Sequence, residues 1–130
     1  MHTTLPLSPA DADRRAHQWA DSWNARDVES ILAHFRDDVV FRSPIAVQML
    51  GTPALQGKDA LRAYWEEALR RIGHLHFRVE RALWDPAQRE LAVLYVAELD
   101  ERRTRAIERL SLDADGKVAE ADALYGAPVP

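Results

Sequence analysis

After Gly73 the spacing of apolar residues changes from a helical period to alternation, and this change divides the chain into two kinds of structure. Before it, Leu61, Tyr64, Trp65, Ala68, Leu69 and Ile72 recur at intervals of three and four. They mark one face of a helix that Gly57-Lys58-Asp59 opens and Gly73 ends. After it, four alternating segments are expected as strands: His74–Trp84, Glu90–Leu99, Arg103–Leu112 and Lys117–Tyr125. They are separated by Asp85-Pro86-Ala87-Gln88, Asp100-Glu101-Arg102 and Asp113-Ala114-Asp115-Gly116, which read as hairpin turns. Helices followed by a meander make an α+β chain, not an alternating α/β one.

The N-terminal part supplies two further helices. Ser8-Pro9-Ala10-Asp11 reads as a cap, a first-turn proline and a carboxylate. The stripe Ala12, Ala16, Trp19, Ala20 and Trp23 follows. Asp27 is placed to cap a second helix from Val28 to Phe35. Asp37-Asp38 breaks the pattern, Val39–Ser43 reads as a strand, and Pro44 ends it. The stretch from Ile45 to Gln56 holds Gly51 and Pro53 and reads as a loop. Its apolar residues suit it to pack over something as a lid. One domain over residues 1–130 is expected, with tails at 1–7 and 127–130.

Composition narrows the function classes. Apolar residues make up 47% and charged residues 29%, a globular balance, and the net charge of -4 argues against a nucleic-acid binder. The chain has no cysteine, so it has neither a disulfide framework nor a thiolate site. No leader or membrane-spanning run is visible, and a cytoplasmic protein is the default expectation. His74 and His76 share one side of a strand without a third ligand at diagnostic spacing, so neither metal nor other cofactor is expected.

Alternation in the last strands points to a cavity. Ala106, Glu108, Leu110 and Leu112 share one face, and in the final strand Ala119, Ala121, Ala123 and Tyr125 do the same. Successive alanines beneath covering helices leave room for a ligand. Glu108 on that face is the candidate acid–base residue, because burial raises a carboxyl's pKa unless a partner such as Arg78 neutralises it. Trp19, Trp23, Phe41, Ser43, Tyr64, Trp65, Tyr95, Leu110, Ala121 and Tyr125 are the expected wall of a site for a small apolar molecule. Tyr64 and Trp65, on a regular helix stripe, suit plain core packing better than a ligand role. The strand Leu91–Leu99 is apolar on both faces, so the outer face of the sheet is expected to be covered by a second copy of the chain.

Trp23-Asn24-Ala25-Arg26-Asp27, Asp38-Val39-Val40-Phe41-Arg42-Ser43-Pro44, the run Gly57–Trp65, Asp115-Gly116-Lys117-Val118 and Ala123-Leu124-Tyr125-Gly126 occur in this order. On them the chain resembles the nuclear transport factor 2-like superfamily and, within it, the SnoaL-like group. The resemblance implies a cone-shaped α+β barrel, three N-terminal helices on a strongly bent antiparallel sheet, commonly dimeric through the convex side. Members include ketosteroid isomerases, polyketide cyclases and epoxide hydrolases, as well as proteins without catalysis. Isomerases of this fold carry a general-base aspartate where this chain has Ser43, a tyrosine donor where it has Trp19, and a protonated aspartate where it has Glu108. A serine cannot take over a carboxylate's proton transfer, which argues against standard ketosteroid isomerisation. Two readings follow: a cofactor-free acid–base enzyme using Glu108, or a non-catalytic ligand-binding or interaction module.

Overall fold

The structure is a computed structural model that describes residues 7–130. It runs α1 (Pro9–Asn24), α2 (Val28–Leu32), β1 (Phe35–Arg42), α3 (Pro44–Leu50), β2 (Ala54–Gln56), α4 (Lys58–Arg71), β3 (Leu75–Asp85), β4 (Glu90–Leu99), β5 (Arg102–Leu112) and β6 (Val118–Pro128). The strands form one sheet in the order β2-β1-β6-β5-β4-β3. Four of the pairings are antiparallel, and β1 runs parallel to β6. The sheet curves without closing, leaving β2 and β3 as its edges, and the helices cover its inner face as an α+β cone.

α1 begins where its cap chemistry dictates. Ser8 Oγ accepts the Asp11 N–H at 3.1 Å, and the Asp11 carboxylate returns the bond to the Ser8 N–H at 3.2 Å. Its buried stripe is Ala12, Ala16, Trp19, Ala20 and Trp23. Trp19 stacks on Phe77 with ring centroids 5.4 Å apart, and its edge meets Tyr95 at 4.9 Å. Asn24 then clips the helix to β3, giving its Nδ2–H to Phe77 O at 2.9 Å and taking the Phe77 N–H at 2.7 Å. Arg26, at φ 58°, reaches back to the carbonyls of Leu69, Ile72 and Gly73, which the end of α4 leaves open.

Four expectations need revision. The second helix stops at Leu32 instead of Phe35, because buried Phe35 pairs with Val118 and starts β1. Asp37 and Asp38 then sit in an irregular stretch of that strand instead of breaking the pattern. The expected 45–56 loop contains α3 and β2, so four helices cover the sheet instead of three. Ser43 caps α3 by accepting the Ile45 N–H, and Gly51 ends it in the left-handed region at φ 72°. The expected C-terminal tail is partly strand: β6 runs to Pro128, and the Val129 N–H bonds Arg103 O at 2.8 Å. At the other end, the expected tail at residues 1–6 lies outside the described residues. Leu7 packs on the core and its carbonyl accepts the Trp84 indole N–H at 2.9 Å. Among the described residues no helix is long and apolar enough to cross a membrane.

Candidate functional site

β5 places Glu108 on the inner face, opposite Val93 of β4 and Ala123 of β6. The small Ala123 leaves space beside the carboxyl group, and a cavity of about 70 Å³ opens there. Its wall is largely aromatic, with Trp19 from α1, Phe41 from β1, Tyr64 from α4, Tyr95 from β4 and Tyr125 from β6. Trp23 and Trp65 lie behind them at a ring distance of 5.0 Å and also reach the cavity. Phe41 holds its place by an edge contact with Trp65 at 5.5 Å.

Glu108 and Ser43 are the buried polar side chains among the described residues, at 4% and 5% exposure. Ser43 Oγ accepts the Ile45 N–H at 3.2 Å, so its hydroxyl serves α3 as well as facing the cavity. Glu108 has no ion pair and no hydrogen bond among the described residues. Arg78, its possible neutralising partner from sequence, is exposed on the opposite face of β3. Burial, reinforced by the charge of Asp122 nearby, drives the Glu108 carboxyl well above the usual carboxylate range. The neutral acid is therefore the favoured form.

The phenols around it stay protonated for the same reason. Burial raises the pKa of Tyr95, with Tyr125 and Glu108 as smaller causes, and burial raises that of Tyr125, with Glu108 and Tyr64 adding to it and the hydrogen bond with Tyr95 opposing it. Burial raises Tyr64 too, against a smaller opposing effect of the Ser43 hydroxyl. Trp19 Nε1 is a buried donor with no partner among the described residues, an uncommon condition because an unmade hydrogen bond costs about 1–3 kcal/mol. The cavity wall therefore brings together a carboxyl whose neutral form burial favours, several phenols and the Trp19 ring, with no basic side chain among its lining residues.

Two expected wall residues lie elsewhere. Leu110 is buried under α1 beside a separate cleft, and Ala121 packs between Phe41 and Leu110 in the sheet register instead of facing the cavity. Leu110 lies two residues after Glu108 and Ala121 two residues before Ala123, toward the same end of the antiparallel pair, so the correct face did not bring them to the cavity. Conversely, Phe77 lines the site and was legible as the inward neighbour of Leu75. Ile45 also lines the site, from α3, whose seven residues look like loop in sequence. His74 and His76 are exposed, His74 facing Glu98 at 3.4 Å, and no group of three or more metal-binding side chains forms among the described residues.

Ile45, Ala68, Ile72 and Leu99 line the cavity on one side and a wider recess of about 880 Å³ on the other. They are partly exposed, and they form an apolar neck between the enclosed space and solvent. Arg71, His74, Glu101 and Arg102 stand around the recess beyond it.

Comparison with known proteins matches the SnoaL-like domain to residues 16–121. No curated protein matches the chain. A SnoaL-like protein of unknown function from Burkholderia thailandensis is 34% identical, with a TM-score of 0.83 over 95% of this chain and 100% of that one. A nuclear transport factor 2-like protein of unknown function from Burkholderia xenovorans superposes with a TM-score of 0.73 at 15% identity, over 94% of this chain and 88% of that one. TerC, in a structure co-crystallised with polyporic acid, also gives a TM-score of 0.73, at 14% identity over 88% of this chain and 92% of that one.

Proposed function

The chain belongs to the SnoaL-like domain family of the nuclear transport factor 2-like superfamily, and on that footing we propose that its cavity takes up a small apolar carbonyl, enol or epoxide compound and acts on it by cofactor-free acid catalysis through Glu108. The observation that carries this reading is the unpaired, buried carboxyl of Glu108 in an aromatic cavity. A carboxylic acid kept neutral donates a hydrogen bond to a ligand oxygen, and donates its proton as that oxygen gains charge. Trp19, whose Nε1 has no partner among the described residues, lines the same cavity. In a cavity with little water such donors stabilise developing charge by several kcal/mol.

No second carboxylate lines the cavity, so the proton that Glu108 gives up returns to Glu108 itself. That suits tautomerisation, ring closure or ring opening better than a relay between separate acid and base. The cavity alone is smaller than the roughly 300–1,000 Å³ of a site for a drug-sized molecule. The oxygen-bearing head of the ligand therefore enters past the apolar neck while its body rests in the recess. That TerC, a protein of like fold, was co-crystallised with polyporic acid supports a small-molecule reading over an interaction module.

A thermal-shift screen against apolar ketones, enols, epoxides and aromatic polyketide-like compounds tests the proposal. A ligand at about 100 times its Kd raises stability by roughly 2.7 kcal/mol, several degrees for a domain of this size. Glu108→Gln should keep affinity through its amide donor and lose turnover by about 100-fold or more, while Glu108→Ala weakens binding. Equal affinity and equal turnover in all three proteins would remove Glu108 from the site.

A further inference from the structure

Three basic side chains converge from three different elements well outside the aromatic cavity. Arg15 comes from α1, His34 from the turn between α2 and β1, and Lys117 from the turn before β6. Arg15 and His34 line a cleft of about 30 Å³ together with Gln18 and Ser22. Arg15 Nη1 donates to Gly116 O at 2.7 Å and Lys117 Nζ to Ala33 O at 2.8 Å, so both cations end on backbone carbonyls. Neither they nor His34 has a carboxylate within 4 Å among the described residues. By contrast Arg36, Arg42, Arg62, Arg105 and Arg109 all do.

The cleft lies close to two positive charges, with Asp113 and Asp115 in the same turn as Lys117. His34 is held below the ordinary imidazole range by burial first, then by the charges of Arg15 and Lys117, with no acid acting the other way. Burial also draws down the pKa of Arg15, since desolvation disfavours its unpaired charge. The Gln18 amide and the Ser22 hydroxyl add neutral donors at the same cleft, neither bonded to another side chain among the described residues.

We infer that this cleft is a binding site for a phosphate group, whose oxygens are met by Arg15 and His34, with Lys117, bonded to Ala33 O next to His34, adding positive charge at its edge. A tetrahedral oxyanion presents several acceptors in different directions, matching cations that arrive from separate elements, whereas a planar carboxylate would leave one unused. The site is independent of Glu108 and its cavity.

The test is a histidine-resolved NMR titration of the full chain at constant ionic strength, with inorganic phosphate, glycerol phosphate and acetate in separate arms. Phosphate should move the His34 ring signals saturably and leave those of His74 and His76 in place. Lys117→Gln should weaken binding about fivefold, the effect of one charge at contact distance in water. Tighter binding of glycerol phosphate assigns the site to a phosphorylated metabolite, and tighter binding of inorganic phosphate to the free ion. A His34 response no greater than that of His74, acetate binding as tight as phosphate, or unchanged affinity in Lys117→Gln overturns the inference. Lys117 also holds Ala33 O and Arg15 holds Gly116 O, so unchanged melting curves for Lys117→Gln and Arg15→Gln establish that any loss of binding is not a loss of fold.

Discussion

Replacing Glu108 by glutamine keeps its size and its ability to donate a hydrogen bond but removes the titration, and so isolates the effect of the buried carboxyl on stability. The folded protein holds this carboxyl well above its ordinary value of 4.5, mainly through burial. Between the unfolded and folded pKa values the native state therefore binds one proton more than the unfolded state. Stability is then fully present below about pH 4.5 and falls as pH rises toward the folded value. The slope for one proton is about 1.4 kcal/mol per pH unit. For a chain of this size that is about 5 °C in Tm per pH unit. Glu108→Gln lacks this loss, while the other titrating groups are common to both proteins. Thermal melts of the two proteins between pH 5 and 7 should therefore diverge, the variant gaining relative to the parent as pH rises. Parallel curves would refute the reasoning, because they would mean that Glu108 ionises in the folded chain as easily as in water.

Asn24→Ala should cost roughly 2–4 kcal/mol, because it leaves both the N–H and the carbonyl of Phe77 unpaired in a partly buried place; chemical denaturation measures it, and a loss below about 0.5 kcal/mol would deny the clip its role. The outer sheet face, where Leu94 and Ile107 lie beside the half-exposed Leu124, is our proposed contact with a second copy of the chain. Leu94→Lys should then shift the protein from dimer to monomer in light scattering coupled to size exclusion, and a persistent folded dimer counts against that contact.

Much of the architecture was legible because it is written in local periods. The stripe of α1, the stripe of α4 and the alternation of Ala106, Glu108, Leu110 and Leu112 each state a face, and the structure buries those faces. What was hidden has physical causes. Ser43-Pro44 uses the same start signal as Ser8-Pro9, and Gly51 the usual stop, but a helix of seven residues shows too few turns for a stripe to emerge. β1 is irregular between Phe35 and Val40, which blurs its alternation. The depth of Leu110 and Ala121 along their strands and the absence of a partner for Glu108 depend on contacts between distant segments. No window of sequence contains those contacts. The unused Trp19 N–H is of the same kind, visible only once every neighbour has been placed.

The parallel seam between β1 and β6 brings together side chains 80 positions apart, as Arg42 and Asp122 illustrate. The other main pairings join neighbours along the chain through short turns and can form locally. Closing the long loop loses the most chain entropy before any contact offsets it, so this seam is the natural late step of folding. Phe41 and Ser43 reach the cavity only through β1. A folding intermediate that has completed the β3–β6 meander but not the seam would thus hold Glu108 on an open sheet, wet and ionised. Proton uptake by that carboxyl would then report the moment at which the last strand docks.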